Sequence, residues 1–200
     1  RAYADSSGKK KYGKYSSSVK ITIKNSSAAE SKVITVSPKS DTYKKKYMNT
    51  SWFTEQTRSY YVLRSYLEYF SNIGGGELHL KKGTYNLQFP LYIPSNTTVI
   101  FEDGVTIKRQ DKGTLFILCS YNDVNTGKKF YGYNGVHDIK IIGRGKVVFD
   151  KEFGGNAAIL MGHTKNILIE GITFARMSDT SAHFIEMDAS NNVEIRNCTF

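Results

Sequence analysis

The sequence of 200 residues predicts an all-β fold, a parallel β-helix in which short strands stack coil upon coil. Similar strand-like segments recur at an interval of about 26 residues, and none of the recurring units contains a helix. Units this short bury their apolar residues only by stacking on one another, which excludes helical repeat folds and favours a solenoid of strands.

The repeat is carried by four segments that share one alternation of apolar and polar residues: 98–103, 138–143, 166–171 and 192–197. Their second residues are predicted to form one internal row: Val99, Ile139, Ile167 and Val193. A second set of equivalent strands covers 114–118, 157–161 and 183–187. The first interval is longer because 120–135 is interpreted as an inserted polar loop. Phe174 and Phe200 are expected to begin an aromatic row.

The residues that close each of these segments predict bends between strands. Gly143, Gly171 and Asn197 occupy equivalent places in the repeat. Glycine and asparagine tolerate the positive φ that a sharp bend requires. We therefore expect each coil to turn at these positions.

Residues 1–50 are predicted to be a basic leader or linker rich in Ser and Lys, ahead of a domain at 51–200. This quarter holds 12 Lys and Arg against 3 Asp and Glu, a net charge of +9, whereas the remaining residues carry a net charge of +1. Two interpretations stay open: a solvated tether, with short strands at 20–24 and 32–36, or an arm that holds anionic cell-wall polymer. Because the charge is confined to this segment, it does not predict nucleic-acid binding.

An amphipathic helix is predicted over about residues 52–73, with apolar residues three and four apart from Val62 onward. Thr54 or Thr57 is the expected N-cap. Gly74 follows the last apolar residue and is expected to end the helix, because glycine accepts a positive φ there. Since the first coil of a β-helix exposes unpaired strand edges, we expect this helix to cover them.

The rungs are predicted to run from about residue 77 to residue 200, beginning with strands at 77–80, 83–85 and 90–94. The sequence ends at Phe200 inside a predicted strand, so the natural domain is expected to continue and this chain to be its N-terminal part. The opening Ala2-Tyr3-Ala4 fits the end of a secretory signal.

Three motifs stand out beside the Asn-Ile-x-Ile-x-Gly rungs: Gly-Gly-Gly-Glu-Leu-His-Leu at 74–80, Lys-Gly-Thr-Tyr at 82–85 and Leu-Tyr-Ile-Pro-Ser-Asn-Thr-Thr-Val at 91–99. With these motifs, residues 52–200 resemble the pectate-lyase-like superfamily of right-handed parallel β-helix proteins, in particular polygalacturonase-type and related secreted bacterial proteins. The resemblance implies an extracellular, pectin-active glycoside hydrolase or polysaccharide lyase. The superfamily also contains tailspikes and binding proteins, so the alternative is a non-catalytic glycan- or cell-wall-binding surface protein.

The polygalacturonase motifs Asn-Thr-Asp, Asp-Asp, Gly-His-Gly and Arg-Ile-Lys do not occur in the chain. The local candidates for catalysis are Glu186 and Asp188. If Ile185 and Met187 point inward, the two acids share the outward face of a strand, about 7 Å apart. That separation suits an inverting acid/base pair, which leaves room for a water. The alternative interpretation is an ordinary solvated strand face.

Five further residues are predicted substrate contacts: His163, Arg176, Asp179, His183 and Phe184. The two histidines lie near the ends of successive ladder strands and could line one groove, or each could stack in a turn. Arg176 and Asp179 lie in a loop between rungs, where they could contact sugar or form a surface ion pair. Phe184 is expected to face outward beside the acids, as a platform for a sugar ring.

No cofactor is predicted, except that a lyase activity would imply Ca²⁺; no spacing of His, Cys and Asp fits a transition-metal site. The two cysteines exclude a disulfide scaffold, and no apolar run reaches the ~18 residues of a membrane span. The predicted partner is a polysaccharide, acidic polysaccharides included, at a secreted or cell-surface location.

Overall fold

The structure is a computed structural model that describes residues 2–4, 10–12, 32–109, 113–153, 157–177 and 183–200. These residues are mostly β, with parallel sheets, in agreement with the predicted all-β class. Within the described ranges, no helix is both long and apolar enough to cross a membrane.

The first part of the chain contains the elements β1 (Ala2–Ala4), β2 (Lys10–Tyr12), β3 (Val33–Val36), α1 (Arg58–Ile73), β4 (Gly76–Leu80), β5 (Gly83–Leu87), β6 (Leu91–Ile93), β7 (Thr97–Phe101), β8 (Val105–Arg109) and β9 (Phe116–Leu118). The second part contains α2 (Tyr121–Thr126), β10 (His137–Gly143), β11 (Val148–Phe153), β12 (Ile159–Gly162), β13 (Lys165–Glu170), β14 (Thr173–Met177), β15 (Ile185–Asp188) and β16 (Asn191–Arg196).

Three parallel sheets contain all strands from β3 onward. The first sheet has the order β16-β13-β10-β7-β4-β3, the second β14-β11-β8-β5 and the third β15-β12-β9-β6. Each consecutive triplet from β4 thus gives one strand to each sheet, and every later strand pairs with the strand three before it. We call one such triplet, with the turns that connect its strands, a coil. β1 and β2 form a separate antiparallel pair.

A row of phenylalanine rings runs through the core. Phe101 and Phe149 lie 5.2 Å apart between ring centroids, Phe149 and Phe174 5.6 Å, and Phe174 and Phe200 5.2 Å. The last two rings are parallel within 3°. The predicted aromatic row is therefore confirmed at Phe174 and Phe200, and it extends two coils further back.

The predicted internal row of valine and isoleucine is wrong at its first member. Ile139, Ile167 and Val193 pair in register, as expected. Val99, however, pairs with Ile141, two residues beyond Ile139. Because the shift is by two residues, both side chains still point inward, and both are buried.

Helix α1 begins at Arg58 rather than at residue 52. The preceding residues form turns, in which the backbone N–H groups of Thr54 and Thr57 each bond to the other's hydroxyl, at 2.8 and 3.3 Å. Gly74 ends the helix with φ +86°, as the sequence predicted. The helix packs on β4, β5 and β6, the first triplet of strands.

The C-terminal end of the predicted leader packs against this first triplet. β3 pairs with β4 at the edge of the first sheet, and its Val36 is 1% exposed. Lys46 forms an ion pair with Glu68 of α1 at 2.5 Å. The alternation of apolar and polar residues at 32–36 allowed a short strand there, and β3 is that strand. The division of the chain at residue 50 stays a prediction, and residues 13–31 lie outside the described ranges.

The bends between strands depend on small or amide-bearing residues. Gly171 and Asn197 have φ of +70° and +54°, as predicted. Gly143 is needed for a different reason, since a Cβ there would overlap the carbonyl oxygen of Gly171 on the next coil. Glycine at these two stacked positions thus lets neighbouring coils approach each other closely.

Three successive strands of the first sheet carry a polar side chain at their second residue, and these side chains stack on one another. Asp138, Asn166 and Asn192 all have positive φ, between 54° and 58°. Asn192 Nδ2 donates to Asn166 Oδ1 at 2.8 Å, and Asn166 Nδ2 donates to Asp138 Oδ1 at 2.8 Å. We call this hydrogen-bonded series the Asx ladder; it ties one turn of each coil to the next.

Candidate functional site

The two predicted catalytic acids lie on the outward face of β15. Ile185 pairs with Ile159, which is fully buried. Because side chains alternate along a strand, Glu186 and Asp188 project from the opposite face, about 7 Å apart. Their shared orientation agrees with the sequence pattern, and their catalytic role stays a prediction.

In the described part of the chain, the ladder places no charged side chain opposite either acid. Across the ladder, Glu186 faces Leu160 and Asp188 faces Gly162, so neither lies opposite another charge. His183 Nδ1 lies 4.0 Å from a carboxylate oxygen of Glu186, and both side chains are exposed. Among the residues that the structure describes, no three His, Cys, Asp or Glu side chains are grouped so that they could hold a metal ion.

The expectation that His163 and His183 line one groove is wrong. Strands β12 and β15 pair from Ile159–Ile185 to Gly162–Asp188. His183 lies before the first of these pairs, whereas His163 lies after the last. The two rings therefore lie at opposite ends of neighbouring parallel strands. His163 sits in a turn with φ +57°, where its Nδ1 lies 2.8 Å from the carbonyl oxygen of Gly132.

The expected outward orientation of Phe184 is also wrong. Its ring is half-buried and lies 5.6 Å from Phe174 and 5.5 Å from Phe200, at the end of the aromatic row. The alternation of inward and outward side chains does not apply to Phe184, because β15 begins only at Ile185. Phe184 thus packs with the core rather than beside the acids as a platform.

Arg176 lies on a different sheet from the two acids. Its Nε donates to Asp150 Oδ1 at 2.6 Å on the second sheet, and Lys108 lies 4.0 Å from the other oxygen of Asp150. Arg176 therefore forms a surface ion pair, but it does so with Asp150 and from strand β14 rather than from a loop. Asp179 lies outside the described residues.

One row of side chains leads from the acids along the outward face of the third sheet. The ladder aligns Glu186 with Leu160 of β12, Ile117 of β9 and Tyr92 of β6. With strands about 4.8 Å apart, Tyr92 lies about 14 Å from Glu186. Leu160 and Ile117 form the apolar middle of this row, between Glu186 at one end and Tyr92 at the other.

A groove of about 360 Å³ opens at the Tyr92 end of this row, and no sequence pattern predicts it. We call it the aromatic groove; its principal lining residues are Tyr60, Arg64, Phe89, Tyr92, Tyr121 and Asn125. They come from α1, the β5–β6 connection, β6 and α2, so no local sequence pattern joins them. Aromatic side chains are frequent in the sequence, but their convergence depends on the packing of α1 and α2.

The rings of the aromatic groove pack edge to face around one cation. Tyr92 and Tyr121 are 4.8 Å apart between centroids, and Tyr60 and Phe89 are 5.6 Å apart. The guanidinium of Arg64 lies 5.1 Å from the centre of the Tyr121 ring, a cation–π distance. Arg64 combines apolar contact with a permanent charge inside the groove.

Hydrogen bonds hold the Arg64 guanidinium in place. Its Nε donates to Glu68 Oε1 at 2.8 Å, and its Nη1 donates to the hydroxyl of Tyr60 at 3.3 Å. Within the described ranges, Arg64 Nη2 has no acceptor. Burial opposes the charge, but the bond to Glu68 and the neighbouring tyrosines outweigh it and raise the pKa of Arg64. The groove therefore contains a fixed positive group with a free donor.

No protein-family model matches the chain, and no curated protein matches it. Among solved structures, the chain is similar to a Parabacteroides merdae ATCC 43184 protein provisionally named a glycosyl hydrolase. The identity is 16%, with 68% of this chain and 86% of that chain covered, at a TM-score of 0.27. A likeness at this level carries no argument about fold or activity.

Proposed function

We propose that this protein hydrolyses a polysaccharide outside the cell, with Glu186 and Asp188 as its acid/base pair. The observation that supports the proposal is the shared outward face of the two carboxyl groups on β15, about 7 Å apart. Inverting glycosidases place their carboxyl groups about 6.5–9.5 Å apart, which leaves room for the attacking water.

The proposed reaction divides the roles by the surroundings of each acid. Asp188, opposite Gly162 at the exposed end of the strand, accepts a proton from water as the water oxygen bonds to the anomeric carbon. Glu186, opposite Leu160, gives its proton to the departing glycosidic oxygen as the old bond breaks. The products are a new reducing end and a new free hydroxyl, with inverted configuration at the anomeric carbon.

The test is incubation with a panel of acidic and neutral polysaccharides, with and without Ca²⁺. New reducing ends without the ultraviolet absorbance of unsaturated uronates are expected, because a hydrolase leaves no double bond. Glu186→Gln and Asp188→Asn should each lower the rate by about 10²–10⁴-fold. Glu194→Gln is the matched control, an exposed acid on β16 that pairs with Arg196.

Several results would contradict this proposal. Full activity in both acid variants would remove the assigned pair, and the absorbance of unsaturated products would indicate a Ca²⁺-dependent lyase instead. A loss in Glu194→Gln equal to that in the acid variants would point to damage to the fold rather than to the chemistry.

A second candidate is a non-catalytic glycan-binding surface protein. The observation that favours it is the separation of the predicted contacts: His163 lies in a turn, Phe184 packs in the core and Arg176 pairs with Asp150. Within the described ranges, these three side chains therefore do not converge on Glu186 and Asp188. Retention on an immobilised polysaccharide without any release of reducing ends is the result expected for this candidate.

We also infer that the three parallel sheets are the faces of one right-handed parallel β-helix of the pectate-lyase-like type. The support is the pairing of each strand from β7 onward with the strand three before it. A crystal structure tests this directly. One sense of coiling from β4 to β16 is expected, and separately packed sheets would contradict it.

The proposed location is outside the cell, with the Lys-rich N-terminal segment held on anionic cell-wall polymer. The net charge of +9 in residues 1–50 supports this proposal. Fractionation of the source cells tests the location. Release from isolated cell walls by salt tests the electrostatic contact, because exposed charges are screened at high ionic strength. A protein confined to the cytosol would contradict the proposal.

A further inference from the structure

We propose that the aromatic groove is a binding subsite for an acidic sugar unit of the substrate, with Arg64 holding its carboxylate. This inference rests on the proposed action on polysaccharides and deepens it by naming the substrate class. The aromatic groove lies on the same outward face as Glu186, so one glycan chain laid across the strands can reach both places.

The shape and the lining suit a sugar ring. The side chain of Phe89 is 56% exposed, although phenylalanine is usually buried, and its ring forms an open wall of the groove. Tyr92 projects outward between two fully buried residues of β6. Ligand sites are typically concave, lined by aromatic side chains and fitted with a few placed polar groups. Arg64 and Asn125 supply those groups here.

The charge beside the groove favours an anion, because two cations, Arg64 and Lys46, share the single carboxylate of Glu68. Two nitrogens of the Arg64 guanidinium are engaged by Glu68 and Tyr60, which fixes the plane of the group. The remaining nitrogen, Nη2, is left to donate to a ligand. A guanidinium recognises a carboxylate by hydrogen bonds as well as by charge. A uronate offers both parts of the expected ligand, a ring to lie against Phe89 and a carboxylate for Arg64.

The spacing along the third sheet links the subsite to the acids. Tyr92 and Glu186 occupy the same row, about 14 Å apart over three strand spacings. The side chains between them are Ile117 and Leu160, both uncharged and half-buried. A polysaccharide bound in the aromatic groove would therefore cross an apolar strip before its next units reach Glu186.

The experiment measures binding by calorimetry with the full chain. The probes are a short oligomer of galacturonate and the same oligomer with its carboxylates methyl-esterified. Arg64→Gln should weaken binding of the acidic oligomer about tenfold and leave the ester unchanged. Phe89→Ala should weaken both oligomers, because it removes the ring wall and not the charge.

Arg58→Gln is the matched control for Arg64→Gln. It makes the same change on the same helix and breaks the ion pair with Glu55, but Arg58 does not line the aromatic groove, so the acidic oligomer should bind within about twofold of the original affinity. If Arg64→Gln weakens the ester as much as the acid, or weakens neither, the subsite is wrong. Failure of the wild-type chain to bind the acidic oligomer also overturns it.

The subsite and the hydrolase proposal fail in different ways. Cleavage of a polysaccharide with unchanged affinity in Arg64→Gln overturns the subsite and leaves the hydrolase. Charge-dependent binding that Arg64→Gln weakens about tenfold, without release of reducing ends, supports the subsite and contradicts the hydrolase. Measuring binding and cleavage on the same variants therefore separates the two.

Discussion

Phe174 and Phe200 stack face to face, with centroids 5.2 Å apart and ring planes 3° from parallel, at the end of the aromatic row. Phe200 is 62% exposed, whereas Phe149, two places back, is fully buried. We expect Phe149→Ala to lower the unfolding free energy by about 3–5 kcal/mol, because it leaves a cavity between coils.

Phe200→Ala is the matched comparison and should cost only about 1 kcal/mol, since much of the ring already contacts water. Urea unfolding of both variants, followed by circular dichroism, provides the two values. Equal losses would show that the row does not act as a continuous core.

His79 links two neighbouring strands of the first sheet through two carboxylates. Its Nε2 lies 2.5 Å from Glu77 Oε1, and its Nδ1 lies 3.0 Å from Glu102 Oε1; Arg144 also reaches Glu102 at 3.4 Å. Partial burial opposes the charge of the ring, but the hydrogen bonds to Glu77 and Glu102 outweigh it and raise the pKa of His79.

The raised pKa of His79 determines how the stability of the protein changes with pH. A raised pKa in the folded state means that the folded protein holds the proton more tightly than the unfolded chain does. The stabilisation is complete below the unfolded pKa of about 6.5 and is lost as the pH rises through the folded value. We expect the urea midpoint of the wild type to fall more than that of His79→Gln as the pH rises above about 6.5. Parallel curves would contradict the expectation.

Gly171 is constrained by both its conformation and its neighbour. It has φ +70°, and a Cβ would overlap the carbonyl oxygen of Gly143. Gly127 has a similar φ of +62° but no atom within 4 Å of a Cβ. Gly127→Ala should therefore lower the free energy of unfolding by about 1–2 kcal/mol, because alanine is strained in the left-handed conformation. Gly171→Ala should cost more, because neighbouring coils must also move apart.

Thermal unfolding of the two alanine variants measures this difference. An equal loss in both would mean that the coils separate at little cost near Gly143. A larger loss in Gly127→Ala would contradict the close approach altogether.

The Asx ladder offers a matched pair of substitutions. Asn166 donates to Asp138 and accepts from Asn192, whereas Asn192 only donates. Both residues have nearly the same φ, so the conformational cost of alanine is shared. We expect Asn166→Ala to destabilise the protein by about 1 kcal/mol more than Asn192→Ala, because it removes one more hydrogen bond. Urea unfolding decides this, and a larger loss in Asn192→Ala would be inconsistent with the ladder.

Much of the β architecture could be predicted because it depends on local pattern. Asn166 and Asn192 each stand immediately before an inward residue, Ile167 and Val193 respectively. Ile167 and Val193 pair in register, as the repeat predicts. The register at Val99 could not be predicted, because an insertion separates β7 from β10. Alternation alone does not distinguish Ile139 from Ile141, since both point inward.

The candidate site was less accessible to sequence reasoning. The outward face of Glu186 and Asp188 follows from alternation inside β15, but the same rule failed one residue before that strand, at Phe184. The aromatic groove combines residues from α1, β6 and α2, whose packing is set by tertiary contacts. The abundance of tyrosine was visible, whereas the meeting of Tyr60 and Tyr121 around Arg64 was not.

The Asx ladder has a direction. Each amide group points its N–H end toward Asp138 and its oxygen away, so the side-chain dipoles of Asn192 and Asn166 align head to tail. The positive end of this array meets the carboxylate, and the bond from Asn166, followed by that from His137, lowers the pKa of Asp138. Aligned amides polarise one another. The negative charge of Asp138 is thereby stabilised by two amide dipoles in series, although only one of them contacts the carboxylate.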